Sequence, residues 1–332
     1  MTQVLIVRGG DRHTYRLEQG MRMCDINYRT VEKYEDIPGD KCDVIFVDPS
    51  LSFDPTPKLN SDHVLFYDCE DSPKDFNPGS AYEAMKDKVQ FYAKMNWLED
   101  DRGDGIRNIG FPLGVCLPLS QCAEIEAPPF SHHNAIPFFL GTGTFLGRHE
   151  PVKGGNYICD TDLNVSSLGK YEDHYMYNQR IDWLLSLRKN NIPHVGGIVF
   201  TESNLSKEWQ SQYFGAGVEL LEIGMIPHDK YLETLFNCRV GLCPTGHDRN
   251  SWRVFDIMAT GAILIWTDSE NQKSMYMPKE YVTVEDGEDL GKKLLSIQPD
   301  YDELWKACQE NRKVFQGLTS EKIWEDFMEQ MS

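Results

Sequence analysis

Short apolar runs alternate with longer polar or amphipathic stretches along the whole chain. In the first half, five such runs are candidate strands: Val4–Val7, Val44–Val47, Val64–Tyr67, Val89–Tyr92 and Gly110–Val115. Short continuous apolar runs are typical of strands that are buried on both faces of a parallel sheet, with helices covering those faces. The pattern predicts an α/β domain in this half of the chain.

The second half repeats the alternation after a proline-containing stretch at 124–135, which we interpret as an interdomain linker. Further strands are predicted at Pro137–Leu140, Val195–Phe200, Arg239–Cys243 and Ala262–Thr267. Helical spacing of apolar residues predicts helices at Tyr175–Lys189, Asp229–Asn237, about 251–260, Leu290–Ile297, Tyr301–Phe315 and Glu321–Met331. The predicted fold class is therefore α/β, with a second sheet following the first.

The net charge of the chain limits the kinds of molecule that it is expected to bind. The 332 residues include 33 basic and 52 acidic side chains, which gives a net charge of −19. Such a field repels nucleic acids and anionic membranes at long range. The first 33 residues are a local exception, because six basic side chains outnumber four acidic ones there. The net charge disfavours DNA as a partner. Because the first 33 residues are basic, DNA remains an alternative.

Cysteine usage and the N-terminal sequence bear on the compartment. The nine cysteines form no Cys-x-x-Cys pair and their number is odd, which favours reduced thiols over a disulfide framework or a structural zinc site. The N-terminus leads directly into a strand and lacks the basic lead and long apolar core of a signal peptide. No apolar run approaches the roughly 18 residues of a membrane span. We expect a soluble, cytoplasmic protein.

Residues 239–268 carry the most informative pattern. A buried strand ends at Pro244, a polar loop follows at Thr245–Asn250, and a helix then begins with Asn250 or Ser251 as its cap. The free N–H groups at the N-terminus of a helix favour bound anions. The segment therefore predicts an anion site at the start of this helix.

Three charged side chains flank the predicted anion site. Arg249 and Arg253 suit bidentate phosphate binding, and Asp256 follows Arg253 by three positions on a neighbouring face of the helix. A carboxylate there can accept two hydrogen bonds from a ribose diol. The set fits a nucleoside diphosphate, whereas the simpler alternative is an ordinary ion pair between Arg253 and Asp256 on the helix surface.

The order of these elements resembles the donor-binding segment of glycosyltransferases of the GT-B fold, in particular the exostosin-like and CgeB-like groups. In that segment a strand is followed by Pro, a Gly-containing loop, Ser, Arg, Phe, an acidic residue, a small Ala-x-Gly and an apolar strand. The matching positions here are Cys243-Pro244, Gly246, Ser251, Arg253, Phe255, Asp256, Ala259-Thr260-Gly261 and Ala262–Trp266. The resemblance covers about residues 136–300.

Two further stretches extend the resemblance. Phe138–Gly141, followed later by Arg180, looks like the opening of the family's C-terminal domain, and Ile226–Tyr231 resembles the element before the donor segment. The resemblance implies two Rossmann-like α/β domains facing across a cleft. We divide the chain into an N-terminal domain on the acceptor side at 1–133, a donor domain at 134–316, and a C-terminal helix at 317–332 that crosses back to the first domain.

The segment and the resemblance together predict which residues bind the donor. They are Gly141, Thr142, Arg180, His247, Arg249, Asn250, Ser251, Arg253 and Asp256. The arginines and the helix N–H groups would stabilise the leaving diphosphate. No cluster of His, Asp and Glu has convincing metal-ligand spacing, so neither a metal nor a cofactor is expected.

Three residues are candidates for catalysis. Asp11 and His13 follow the first strand and its glycine turn, and either could act as general base if the reaction inverts configuration. Asp248 precedes Asp256 by eight positions, a spacing at which the resembling families usually carry two glutamates; two aspartates are a departure. Paired acids at this spacing favour retention of configuration.

The expected reaction is transfer of a hexosyl or pentosyl group from a nucleotide-diphosphate sugar. A UDP-sugar is the first expectation for the donor, and the acceptor is a glycan, a protein or a small molecule. One alternative is a modified base in DNA as acceptor, as in the bacteriophage DNA glycosyltransferases of this fold. Another is a non-catalytic protein that binds a nucleotide-sugar.

Overall fold

The structure is a computed structural model that describes most of the chain. The residues that it leaves undescribed are 1–2, 9–16, 19, 23, 34–35, 50, 52–58, 69–79, 95–96, 98–99, 101–104, 111–115, 127–128, 132–134, 143–171, 200–219, 222–226, 245–251, 268–272 and 286.

The chain folds into two compact units, each built on one parallel sheet. The first unit comprises Met1–Ile125, Glu270–Met277 and Val314–Ser332, and the second comprises Glu126–Ser269 and Pro278–Lys313. The division into functional domains at 1–133, 134–316 and 317–332 stays a prediction.

The first unit contains a six-stranded sheet. Its strands are β1 (Val4–Val7), β2 (Tyr28–Val31), β3 (Cys42–Val47), β4 (Ser61–Asp68), β5 (Phe91–Lys94) and β6 (Arg107–Gly110), in the order β2-β1-β3-β4-β5-β6. All neighbouring strands are parallel. The described helices α1 (Ser80–Met85) and α2 (Cys116–Glu124) belong to this unit. All four residues of β1 are buried, as their continuous apolar sequence predicts.

The second unit contains another six-stranded parallel sheet. In chain order its elements are β7 (Ile136–Thr142), α3 (Glu172–Lys189), β8 (Val195–Val199), β9 (Leu220–Leu221), α4 (His228–Cys238), β10 (Arg239–Cys243), α5 (Trp252–Thr260), β11 (Ile263–Thr267), β12 (Val282–Val284), α6 (Leu290–Ile297) and α7 (Tyr301–Arg312). The strand order is β12-β11-β10-β7-β8-β9. Trp183, Leu187, Leu242 and Ile265 lie in the buried core of this unit.

Residues from the end of the chain complete the first unit. Helix α8 (Ser320–Glu329) buries Phe327, whose ring stacks on that of Phe46 in β3 at 5.8 Å between centroids. Just after the helix, the side-chain amide of Gln330 accepts from Gly110 N at 2.7 Å and donates to Gly110 O at 2.9 Å. The edge strand β6 is thereby held by the C-terminal residues.

The strand order of the second unit locates a crevice. Successive strands run outwards from β7 in one direction and from β10 in the other, so the order reverses between these two neighbouring strands. In open α/β sheets, ligands bind outside the carboxyl ends of the strands at such a switch point. Here those ends are Gly141–Thr142 of β7 and Cys243 of β10.

The α/β class and its two parallel sheets are confirmed, and several element bounds coincide with the predicted ones. The bounds of β1, β10 and α6 are those expected from the sequence. The strand predicted at Gly110–Val115 meets β6 (Arg107–Gly110) only at Gly110, and its remaining residues, 111–115, lie outside the described part of the chain. Three strands, β2, β9 and β12, were not predicted at all.

Candidate functional site

Helices α4 and α5 meet through a histidine–carboxylate pair. His228 is the first residue of α4, and Asp256 lies in the second turn of α5. Their Nε2 and Oδ1 atoms are 2.9 Å apart, which is hydrogen-bonding distance. The side chain of Asp256 is 10% exposed and that of His228 is 43% exposed, so the pair joins a buried carboxylate to a ring that reaches solvent.

A second link between the same helices lies one turn later in α4 and one turn earlier in α5. The guanidinium of Arg253 donates a hydrogen bond to the hydroxyl of Tyr231. The guanidinium also lies over the ring of Phe139 in β7, with Cζ 5.0 Å from the ring centroid. Contact with an aromatic face is favourable for a cation and limits the orientations of the guanidinium plane.

Aromatic packing joins the two links on the α4 side. The rings of His228 and Tyr231 are near parallel, at 15° and 6.2 Å between centroids. The ring of Tyr231 also contacts Phe138 of β7 at 5.3 Å. The first turn of α4 is therefore fixed against the sheet next to the switch point.

The charges of the site follow from these contacts. The hydrogen bond to Asp256 raises the pKa of His228, burial opposes this, and the negative charges of Asp256 and Asp229 add to it. Burial raises the pKa of the Tyr231 hydroxyl far above its usual value, with Arg253 acting in the opposite direction. Near neutral pH the tyrosine is thus a neutral hydroxyl, while Arg253 keeps its positive charge.

Helix α3 is tied to the same edge of the sheet. The hydroxyl of Thr267, the last residue of β11, donates to Oε1 of Gln179 at 3.1 Å, and both side chains are buried. The next residue of α3 is Arg180, which is half-buried. This hydrogen bond fixes the segment of α3 that carries Arg180.

The structure describes five of the predicted site residues. Gly141 and Thr142 end β7, Arg180 lies in α3, and Arg253 and Asp256 lie in α5. The remaining predicted residues lie outside the described part of the chain: Asp11, His13, His247, Asp248, Arg249, Asn250 and Ser251.

Two residues of the site were not predicted to have a role. His228 and Tyr231 belong to the stretch Ile226–Tyr231, which resembles the element before the donor segment in the GT-B families but was assigned no role. His228 is 28 positions from Asp256, and a contact at this separation has no signature in hydrophobic periodicity.

Where the structure describes the basic first 33 residues, arginines there pair with nearby carboxylates. Arg8 pairs with Glu18 at 3.1 Å and with Glu32 at 2.7 Å, and Arg29 lies 3.9 Å from Asp40. These arginines are partners of carboxylates within the first unit, so the excess of basic residues does not translate into a uniformly basic surface.

Within the described ranges, no helix combines the length and the apolar character of a membrane span. The same ranges contain no group of three or more His, Cys, Asp or Glu side chains that could hold a metal ion.

Comparison with known proteins relates this geometry to a family. Residues 173–329, from α3 to α8, match a family model described as glycosyl transferase-like. The N-terminal domain of Candida albicans trehalose-6-phosphate phosphatase is similar in structure, with a TM-score of 0.53 and 11% identity over 100% of this chain and 96% of that chain. The Anabaena protein HepE, solved with UDP, gives 0.51 and 10% over 100% and 99%. The chain has the GT-B fold, and its second half is glycosyl transferase-like.

A third similar structure is an α-glucosyltransferase in complex with UDP and a 13-mer DNA. Its TM-score with the present structure is 0.51, with 10% identity over 99% of this chain and 98% of that chain. No curated protein sequence matches the chain. The residues that match the family model include both links between α4 and α5, so the candidate site lies in the part of the chain that carries the family match. The narrower resemblance to the exostosin-like and CgeB-like groups stays a prediction.

Proposed function

We propose that this glycosyltransferase takes its sugar from a UDP-sugar bound at the switch point between β7 and β10. The observation that carries the proposal is the pairing of α4 with α5, which fixes Arg253 and Asp256 near this switch point. A cation and a buried carboxylate placed there match the two polar parts of a nucleoside diphosphate, its phosphates and its ribose.

Asp256 is proposed to bind the ribose. An ionised carboxylate has about four acceptor positions, and the hydrogen bond with His228 uses one of them on Oδ1. A buried carboxylate is costly unless its acceptor positions are satisfied. The vicinal hydroxyls of a ribose would supply two donors to this side chain.

Arg253 and Arg180 are proposed to bind the diphosphate and to stabilise it as it leaves. The hydrogen bond to Tyr231 and the packing on Phe139 hold the guanidinium of Arg253 in one orientation before any ligand binds. Fixed positive charge at the position where negative charge develops lowers the barrier of the reaction. Gly141 and Thr142, at the end of β7, let the backbone approach the phosphates.

Uridine is proposed as the base because both HepE and the α-glucosyltransferase, which share this fold, were solved with UDP. Asp248 is proposed to contact the transferred sugar, with retention of configuration, and Asp11 or His13 would supply the general base if the reaction inverts. Metal independence is also part of the proposal, and it predicts equal turnover with excess EDTA and with added Mn²⁺.

The proposed acceptor is a glycan, a protein or a small molecule. Among the described basic residues at the start of the chain, Arg8 and Arg29 pair with carboxylates and so give a DNA acceptor no support. The net charge of −19 acts in the same direction.

Calorimetric titration with UDP tests the donor site. Arg253→Ala and Asp256→Asn should each weaken UDP binding about tenfold or more, the equivalent of about 1.4 kcal/mol. Arg188→Ala, at the end of α3, is a matched control and should bind UDP as the wild type does. Failure of the wild type to bind UDP, or equal UDP affinity in Arg253→Ala, would contradict the proposal.

A further inference from the structure

We propose that His228 is a positioning residue that orients the Asp256 carboxylate for recognition of the donor's ribose hydroxyls. This inference rests on the proposed function, and it assigns to α4 a part in donor selectivity that its sequence did not suggest. His228 itself need not touch the donor.

The paired residues have the same spacing in the two helices. His228 and Tyr231 are three residues apart in α4, and their partners Asp256 and Arg253 are three residues apart in α5. Residues at this spacing are neighbours on the surface of a helix. Each donor-site side chain of α5 is therefore held by one residue from the facing turn of α4.

The two side chains of the His228–Asp256 pair differ in burial. The carboxylate of Asp256 is enclosed, while nearly half of the His228 side chain is exposed. A histidine that served only to satisfy a buried carboxylate could be enclosed with it. Here the ring is held by its stacking on Tyr231 and by the 2.9 Å hydrogen bond, which together fix the carboxylate plane. Outer partners of this kind orient the groups that contact a ligand.

The charged groups around His228 affect its protonation. The groups described as facing His228 are Asp256 from α5 and Asp229 and Tyr231 from its own helix, and Arg253 lies beyond Tyr231. The hydrogen bond to Asp256 and the negative charges of Asp256 and Asp229 raise the pKa of His228, so its imidazolium form persists to higher pH than that of a free histidine. Its hydrogen bond to Asp256 is charge-assisted and about twice as strong as a neutral one. Orientation of Asp256 should therefore be firmest when His228 is protonated.

The test compares two ligands, UDP and 2′-deoxy-UDP, which differ only in the ribose hydroxyl. The ratio of their dissociation constants, measured by calorimetry, reports how well the site recognises that hydroxyl. We expect a ratio of about ten or more in the wild type, since loss of a hydrogen bond to a charged group is costly. His228→Ala should reduce the ratio to about two, and His228→Gln, which keeps an N–H donor, should recover part of it.

A pH series gives a readout that a purely structural role would not change. The wild-type ratio should fall as pH rises through the pKa of His228, whereas the ratio in His228→Gln should stay constant. Ionisation of the ligand phosphate affects both ligands alike and cancels in the ratio. His194→Ala, a histidine change before β8 in the same unit, is the control and should leave the ratio at the wild-type value.

The outcomes separate the inference from the proposed function. If the wild type discriminates between the ligands, Asp256→Asn abolishes the discrimination, and His228→Ala retains it, then His228 has no positioning role and the inference alone is overturned. If the wild type binds both ligands equally, or binds neither, the ribose role of Asp256 fails and the inference fails with it. Should His228→Ala not fold, His228→Gln and the wild-type pH series decide the question.

Discussion

At the scale of single residues, the site depends on side chains that hold other side chains. Arg253 contacts Tyr231 and Phe139, and Asp256 contacts His228, before any donor is present. Fixing these groups in the folded protein removes part of the entropy that a ligand would otherwise lose when it orders them.

The His228–Asp256 pair should make stability depend on pH. The folded-state pKa of His228 lies above its ordinary value of 6.5, so its contribution is fully present below about pH 6.5 and is lost as pH rises through the raised pKa. His228→Gln should therefore lower the free energy of unfolding more at pH 5.5 than at pH 9. The expected difference is about 1 kcal/mol or less, because solvent screens a half-exposed ring.

Urea unfolding at the two pH values measures this difference. A loss of stability that is equal at pH 5.5 and pH 9 would show that the pair does not couple folding to the protonation of His228. Asp256→Asn, which removes the other partner, should abolish the same pH dependence.

Gly261 offers a second prediction at this scale. It follows α5 with φ of +67°, and a Cβ added there would lie 2.3 Å from Cδ of the buried Arg312. Gly261→Ala combines left-handed backbone strain with this clash, so it should destabilise the protein by about 3 kcal/mol. Gly287→Ala is the matched control, since φ is +81° and nothing lies within 4 Å of its Cβ.

Gly287→Ala should cost only the strain, about 1–2 kcal/mol. Thermal or urea unfolding of the two variants gives the difference directly. Equal losses would show that Arg312 moves aside at no cost and that the packing below Gly261 is loose.

The sequence identified only part of the site, and the residues show why. Arg253 and Asp256 were predicted because they follow a polar loop along one predicted helix, and this order in the sequence is typical of a phosphate and ribose site. His228 and Tyr231 were not, because their roles depend on how α4 packs against α5. Pairings between helices arise from tertiary packing, which a local pattern does not encode.

At the scale of elements, buried strands were easier to predict than edge strands. Val4–Val7 and Arg239–Cys243 are buried at every position. In the sequence, such strands are marked by a continuous or near-continuous run of apolar residues. The strand Tyr28–Val31 is polar and partly exposed at the sheet edge, and Leu220–Leu221 is only two residues long. Neither has enough periodicity to distinguish a strand from a loop.

Helix α6 supplies a prediction at this scale. Its N-cap Asp289 accepts a hydrogen bond from Lys292 N at 3.1 Å, from Asn190 Nδ2 of the turn after α3 at 3.0 Å, and from Ser186 Oγ of α3. The cap therefore also joins two helices. Asp289→Ala should lower the free energy of unfolding by about 2 kcal/mol at pH 7, near the upper end for a cap.

The control for α6 is the simpler cap of α8. Thr319 Oγ1 accepts the intrahelical bond from Lys322 N at 3.2 Å, and its hydroxyl also bonds the side chain of Glu321 in the first turn of the same helix. Thr319→Ala should cost about 1 kcal/mol. If urea unfolding shows equal losses for Asp289→Ala and Thr319→Ala, the bonds from α3 to Asp289 contribute nothing to stability.

At the scale of the whole molecule, the first unit is built from segments far apart in the chain. Phe327 of α8 is fully buried and stacks on Phe46 in the central strand β3. Phe327→Ala should therefore destabilise the first unit as a whole, by about 3–5 kcal/mol. Phe327→Leu keeps most of the buried volume and should cost less than about 1.5 kcal/mol.

Hydrogen exchange locates the effect. In Phe327→Ala, protection of backbone amides should fall across β1, β3 and β4 as well as in α8. Loss of protection confined to α8 would show that this helix is an appendage and does not stabilise the sheet.

The late position of these residues has a consequence for biosynthesis. A ribosome adds about 5–20 residues per second, so about 10 to 40 s separate the emergence of Ile125 from that of Phe327. Throughout that interval the nascent first half lacks the aromatic ring that covers Phe46 and the amide that pairs with Gly110. The second unit, which ends at Lys313, is synthesised in full before the first unit receives its last segment, Val314–Ser332. Until then the N-terminal segment exposes apolar surface of the kind that chaperones shield.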